Sequence, residues 1–231
     1  MGSDDLFKRR KAQKTAEFER QRRDRAQGPR FLIVSEGMKT EPYYFEEFCR
    51  VHQLRTPRVR IAPGEEGSSP DCVVAYAEKL FDEDGKLGLD RYDQVFCVID
   101  RDKHPPFNIA IQRIAELGAA GKPFVAIPSY PCFEYWLLLH FTYTRQSFHA
   151  AGKRSICENV IRELRKNPGF AGYAKAQPNI YIRLKELTDT AVQNAQRAEE
   201  DANQTGETNP STCVHHLVLQ LQKLAATHGR K

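Results

Sequence analysis

The spacing of apolar positions changes repeatedly between strand-like and helix-like along this chain. "RFLIVSEG" (30–37) is a short apolar strand running into Ser35, Glu36 and Gly37. "TEPYYFEEFCRVH" (40–52) then takes helical spacing, with Pro42 in the first turn and Tyr44, Phe45 and Phe48 on the inner face. "RVRIAP" (58–63) reads as a second, weaker strand. Beyond the loop "GEEGSS", Ser69 as N-cap and Pro70 at the first helical position open a helix striped by Val73, Val74, Ala77 and Phe81. Val95 to Ile99 is an unbroken apolar run rich in β-branched and aromatic side chains, the composition of a strand buried on both faces. A helix at 108–118 uses Ile111, Ile114 and Leu117, and "PFVAI" (123–127) forms a fourth strand. Strand alternating with helix predicts parallel strands, right-handed crossovers and helices on both faces: an open, four-stranded α/β sheet.

After Phe141 the pattern becomes helical. The segments are 153–166, a long polar stretch at 178–202, and a last helix with Asn209 as N-cap and Pro210 at its first position. Val214, Leu217, Val218, Leu221 and Leu224 give that last helix a continuous stripe. The stretch 196–208 has few apolar residues and is expected to be mobile. The predicted organisation is an arm at 1–29, an α/β core at 30–145, and a helical part at 146–231 that packs on the core or pairs with a second subunit.

Length and composition narrow the classes. A chain of 231 residues suits one domain with extensions. No apolar stretch approaches the roughly 20 residues of a membrane span, and the N-terminus is charged where a signal peptide is apolar, so a cytoplasmic protein is expected. Cysteines 49, 72, 97, 132, 157 and 213 are scattered without a Cys-x-x-Cys pair. Free, buried thiols are expected rather than a zinc site or a disulfide frame. No phosphate-loop motif occurs. Residues 8–30 carry ten Lys/Arg against three Asp/Glu, a net of +7 in a chain whose total is +5. That arm, with Arg9, Arg10, Lys11, Arg22, Arg23 and Arg25, is disordered or a lone helix on this reading and is a candidate grip on nucleic-acid phosphates. A solvated tail is the alternative.

The chemistry concentrates in "VIDRDKH" (98–104). If the strand persists through Arg101, Asp100 and Asp102 point the same way, which is unfavourable unless a cation lies between them. Hard oxygen donors around one point suit Mg²⁺ or Mn²⁺. In open α/β sheets ligands gather at the carboxyl ends of the strands, and Glu36 ends the first strand as Asp100 and Asp102 end the third. Glu41, held before a proline, either turns back toward that edge or complements the helix dipole. Glu134 is a charge in the otherwise apolar "CFEYWLLLHF", and so requires a partner, a metal or an ion pair. Arg101, Lys103 and His104 are weaker candidates for a substrate phosphate, since solvent-facing loop positions explain them as well. Tyr43, Tyr44, Tyr130 and Trp136 read as core before base-stacking platforms, and the loop at 64–69 as flexible before a phosphate cradle.

A strand ending in Glu-Gly and a later strand ending in Asp-x-Asp resembles the Toprim domain of topoisomerases, primases and overcoming-lysogenization-defect nucleases. More closely, "EGMKTEPYYF" (36–45), "VIDRDKH" (98–104), "SYPCFEYWLLLHF" (129–141) and "NPST" (209–212) together resemble the RloB family, from about Arg30 to Leu224. The resemblance implies a Toprim-like nuclease fold from bacterial phage-defence loci. It gives Glu36 the role of general base, general acid or metal ligand, and Asp100 and Asp102 that of holding Mg²⁺ or Mn²⁺. It also implies a nucleic-acid substrate, RNA before DNA with transfer RNA a candidate, and an AAA- or ABC-type ATPase encoded nearby as a partner. The alternative is a non-catalytic subunit binding nucleic acid or that ATPase. A haloacid-dehalogenase-like phosphatase is disfavoured because its Asp-x-Asp closes the first strand. Small size and missing zinc-ligand pairs disfavour a topoisomerase or primase.

Overall fold

In the computed structural model, residues 28–54, 58–64, 67, 69–86, 91–101 and 106–228 are described. The elements run β1 (Phe31–Ser35), α1 (Thr40–Val51), β2 (Val59–Pro63), α2 (Pro70–Lys86), β3 (Gln94–Asp100), α3 (Pro106–Ala119) and β4 (Phe124–Tyr130). The remainder is α4 (Glu134–Leu139), α5 (Ile156–Leu164), α6 (Ile180–Leu184), a 3₁₀ turn (Lys185–Leu187), α7 (Thr188–Thr205), β5 (Ser211–Thr212) and α8 (Val214–His228). No helix among the described residues is long and apolar enough to cross a membrane.

The sheet has five strands in the order β2-β1-β3-β4-β5. The first four are parallel, as the alternation of strand and helix requires, and β5 adds an antiparallel edge to β4. Successive strand residues face opposite sides, so each strand feeds two cores. Phe31, Ile33, Phe96 and Val98 meet α1, α4 and the C-terminal helices, while Leu32, Val34, Val95, Cys97 and Ile99 meet α2 and α3. This is why Val95 to Ile99 carries no polar residue.

The C-terminal helices share the first core. α7 covers α4 through Ala191, Ala195, Ala198 and Ala202, all buried. The stretch expected to be mobile is therefore helical to Thr205, where Gly206 takes the left-handed conformation that ends a helix. Alanine scores weakly as an apolar residue but lets helices approach closely. Helix α5 begins with a capping box between Ser155 and Glu158.

Two local expectations change. Asn209 does not cap the last helix: its side-chain amide bonds the backbone of Phe148, with Nδ2 donating to the carbonyl at 2.7 Å and Oδ1 accepting from N–H at 3.3 Å. Ser211 and Thr212 pair with Tyr130 and Ser129 as the fifth strand, and the hydroxyls of Ser129 and Thr212 lie 2.9 Å apart in the interior. The helix starts only at Val214. Not all six cysteines are free thiols either, for Cys132 and Cys157 are joined as a disulfide, with Cα atoms 6.0 Å apart. Packing of the start of α4 against α5 brings them together, which their separation of 25 residues does not reveal.

Candidate metal centre

The order β2-β1-β3-β4 reverses direction between β1 and β3, and a crevice opens outside the carboxyl ends of strands at such a switch point. Glu36 follows β1 and Asp100 closes β3 at that place. The Glu36 N–H donates to Val98 O at 3.1 Å, extending the ladder by one bond. Its carboxylate accepts from the backbone N–H of Asp100 at 3.2 Å. The two acids are thus fixed to each other through the sheet.

Glu41 joins them from the first turn of α1, where it is buried. A Cβ on Gly37 would stand 1.9 Å from Glu41 Oε2, so the carboxylate occupies the space that glycine leaves open. The chain needs glycine here for room, not for an unusual backbone angle. Gly64 plays a similar part at the exit of β2, where a Cβ would come within 2.9 Å of Glu36 O. Its carboxylate also bonds its own helix-start N–H.

Glu134 enters from α4 and is only 1 % exposed. One oxygen, Oε1, lies 3.4 Å from Tyr173 Oη, which donates to it, and 3.4 Å from Lys175 Nζ. The other, Oε2, is buried with no hydrogen-bond partner. Lys175 is half-exposed at the mouth of the cluster. Its loop is pinned to α1 by the Ala176 N–H donating to Thr40 Oγ1 at 3.0 Å.

Mutual repulsion is visible in the proton affinities. Loss of hydration, followed by Glu41, Glu134 and Glu36, pushes Asp100 well above the ordinary carboxylate range. Burial first and Glu134 second push Glu41 up to about 7. Burial alone would lower Lys175, but Glu134, Asp100 and Glu41 outweigh it, so the ammonium is held charged. Among the described residues, Glu36, Glu41, Asp100 and Glu134 thus act on one another electrostatically, with Lys175 opposing them. An all-oxygen donor set with an unsatisfied buried oxygen fits a hard divalent cation.

Of the residues singled out from the sequence, Glu36, Asp100, Glu41 and Glu134 come together. Asp102, Lys103 and His104 lie outside the described residues, as does the basic arm with Arg9, Arg10, Lys11, Arg22, Arg23 and Arg25. Arg101 is committed elsewhere: its guanidinium donates to Thr208 Oγ1 at 3.0 Å and sits 5.3 Å from the centre of the Tyr130 ring. Tyr44 and Trp136 are fully buried core residues, while Tyr43 and Tyr130 are partly exposed. Tyr173 and Lys175 are not legible from the sequence, because a loop between helices carries no periodic signal.

No curated protein and no solved structure gives a significant match to the chain. A protein-family model described as RloB-like protein matches residues 31–221, which takes in β1, every acid of the cluster, Lys175 and most of α8. The chain belongs to the RloB-like protein family.

Proposed function

We propose that this protein is a Toprim-type endonuclease that cleaves nucleic-acid phosphodiester bonds with Mg²⁺ or Mn²⁺, RNA before DNA and transfer RNA included, and acts as a toxin in bacterial antiphage defence. The observation that carries the reading is the convergence of Glu36, Glu41, Asp100 and Glu134 at the switch point of the sheet, with a buried Glu134 oxygen left without a hydrogen-bond partner. The ion would be held by Asp100, Glu134 and Glu41, with Glu36 beside them and Asp102 as a further candidate. When bound, it supplies Lewis acidity toward a phosphate oxygen and a water.

The chain's own groups have separable tasks. Glu36 is oriented by the Asp100 N–H, as a base or a ligand requires. Lys175 is charged and half-exposed, placed to attract a phosphate and to neutralise charge as it builds there. Tyr173 holds Glu134 in place. The basic arm would capture the polyanion without touching the reacting atoms.

Glu36→Gln is nearly isosteric and tests the reading directly. Induced expression of the wild type should be toxic and should generate new RNA or DNA ends by sequencing, whereas Glu36→Gln should be harmless and leave none while keeping its circular dichroism spectrum. A folded Glu36→Gln protein that still kills and cuts at the wild-type rate refutes the nuclease assignment.

A further inference from the structure

A second group of metal-type donors lies where β5 turns into α8. Its residues are Glu199 from α7 with His215 and His216 from the first turn of α8. None of the three is among the charges acting on Asp100 or Glu41.

The two imidazoles converge on one oxygen. Glu199 Oε2 is 2.8 Å from His216 Nε2 and 3.2 Å from His215 Nε2. Two further contacts fix this arrangement. His215 Nδ1 lies 3.2 Å from Thr212 O. A carbonyl only accepts, so Nδ1 carries the hydrogen and Nε2 of the neutral ring carries the lone pair. Cys213 Sγ donates to the other oxygen of Glu199 at 3.3 Å, turning Oε2 toward the histidines. Such outer contacts are what metal ligands ordinarily have.

His215 supplies the independent sign of a missing group. It is 1 % exposed, and its Nε2 is buried without a hydrogen-bond partner, with Glu199 Oε2 3.2 Å away. A lone-pair nitrogen of a buried ring and an oxygen of a partly exposed carboxylate thus face each other. A cation between them satisfies both. Tetrahedral zinc with bonds of about 2.0–2.1 Å sets its ligands roughly 3.3 Å apart, close to the 3.2 Å from His215 to Glu199 and somewhat longer than the 2.8 Å from His216. Imidazole nitrogens select a zinc-class ion over Mg²⁺.

We infer that Glu199, His215 and His216 form a Zn²⁺ site that fastens α7 to the start of α8, with the fourth position open to solvent beside exposed His216. The sheet edge made by β5 and the helix carrying the last core stripe are thereby held to the body of the protein. The site is independent of the acidic cluster and of the nuclease reading.

The test uses the full chain carrying Asp100→Asn, which weakens the acidic cluster as a competing site. After chelator stripping, the protein is titrated with Zn²⁺ against a chromophoric chelator, and its melting temperature is read with and without Zn²⁺. One Zn²⁺ per chain and a rise in melting temperature are expected. His216→Ala changes an exposed residue and should fold; it and Glu199→Gln should each weaken binding by more than the roughly 10–100-fold that loss of an outer contact alone can cause, and abolish the thermal shift. Circular dichroism identifies which variant is folded, and a folded one decides. Absence of Zn²⁺ binding at micromolar concentration, or undiminished binding in either folded variant, overturns the site.

Discussion

Replacing Glu41 with glutamine should make the metal-free protein more stable above about pH 4.5, with the full gain at neutral to alkaline pH. Glu41 ordinarily ionises near 4.5 and is raised to about 7 in the folded protein, by burial first and by Glu134 next. The folded state therefore holds a proton that the unfolded chain has already released. Stability linked to this group is fully present below 4.5 and is lost as pH rises through about 7. At about 1.4 kcal/mol per pH unit, the loss approaches roughly 3 kcal/mol by about pH 8. The Glu41→Gln side chain cannot ionise, so it escapes that loss while filling the same space under Gly37. For a chain of this size each kcal/mol moves the melting temperature by about 2–4 °C, giving a ceiling of roughly 6–12 °C. Calorimetric melting in chelator at about pH 4 and pH 8 measures it. The variant should match the wild type at the lower pH and exceed it at the higher one. Added Mg²⁺ or Mn²⁺ should then raise the wild type more than Glu41→Gln, because the ion relieves the repulsion that the substitution has already removed. A metal-free wild type whose stability is flat across that range, or a variant weakened equally at both pH values, would refute the argument.

Two further outcomes are expected. Gly37→Ala should leave the fold intact, since the added methyl meets the movable end of Glu41, yet should weaken Mn²⁺ binding by calorimetry roughly tenfold or more by displacing that carboxylate. Deleting residues 8–30 should flatten the log–log salt dependence of nucleic-acid binding by about 0.7–0.9 per lost phosphate contact and spare cleavage at saturating substrate; an unchanged slope would make the arm a passive tail.

The parts of the site that the sequence makes legible are those tied to regular structure. Glu36 and Asp100 stand where apolar runs stop, and Glu134 is conspicuous as the charge within an apolar helix. Glu41 is ambiguous there, because only the space under Gly37 determines which way its carboxylate turns. Lys175 and Tyr173 escape because their loop obeys no period, and their relation to Glu134 spans about 40 residues of chain. The same holds for Glu199, whose neighbours on α8 lie a helix away. β5 is two hydroxyl residues with no apolar alternation, so its pairing with β4 is invisible until the sheet is assembled. The second half of α7 reads as unstructured because its packing face is alanine.

That late pairing has a consequence for synthesis. β4 is complete at Tyr130, but the strand that covers its edge begins at Ser211. At the usual 5–20 residues per second, a ribosome needs roughly 4–16 s to make the intervening chain. Throughout that interval the nascent sheet presents unpaired backbone groups beside an apolar face that α8 has yet to cover. Nascent chains on adjacent ribosomes of one messenger could pair through those edges. Slow translation between these two points therefore favours coaggregation, and the stretch of coding sequence between them is where codon choice should bear most on the yield of folded protein.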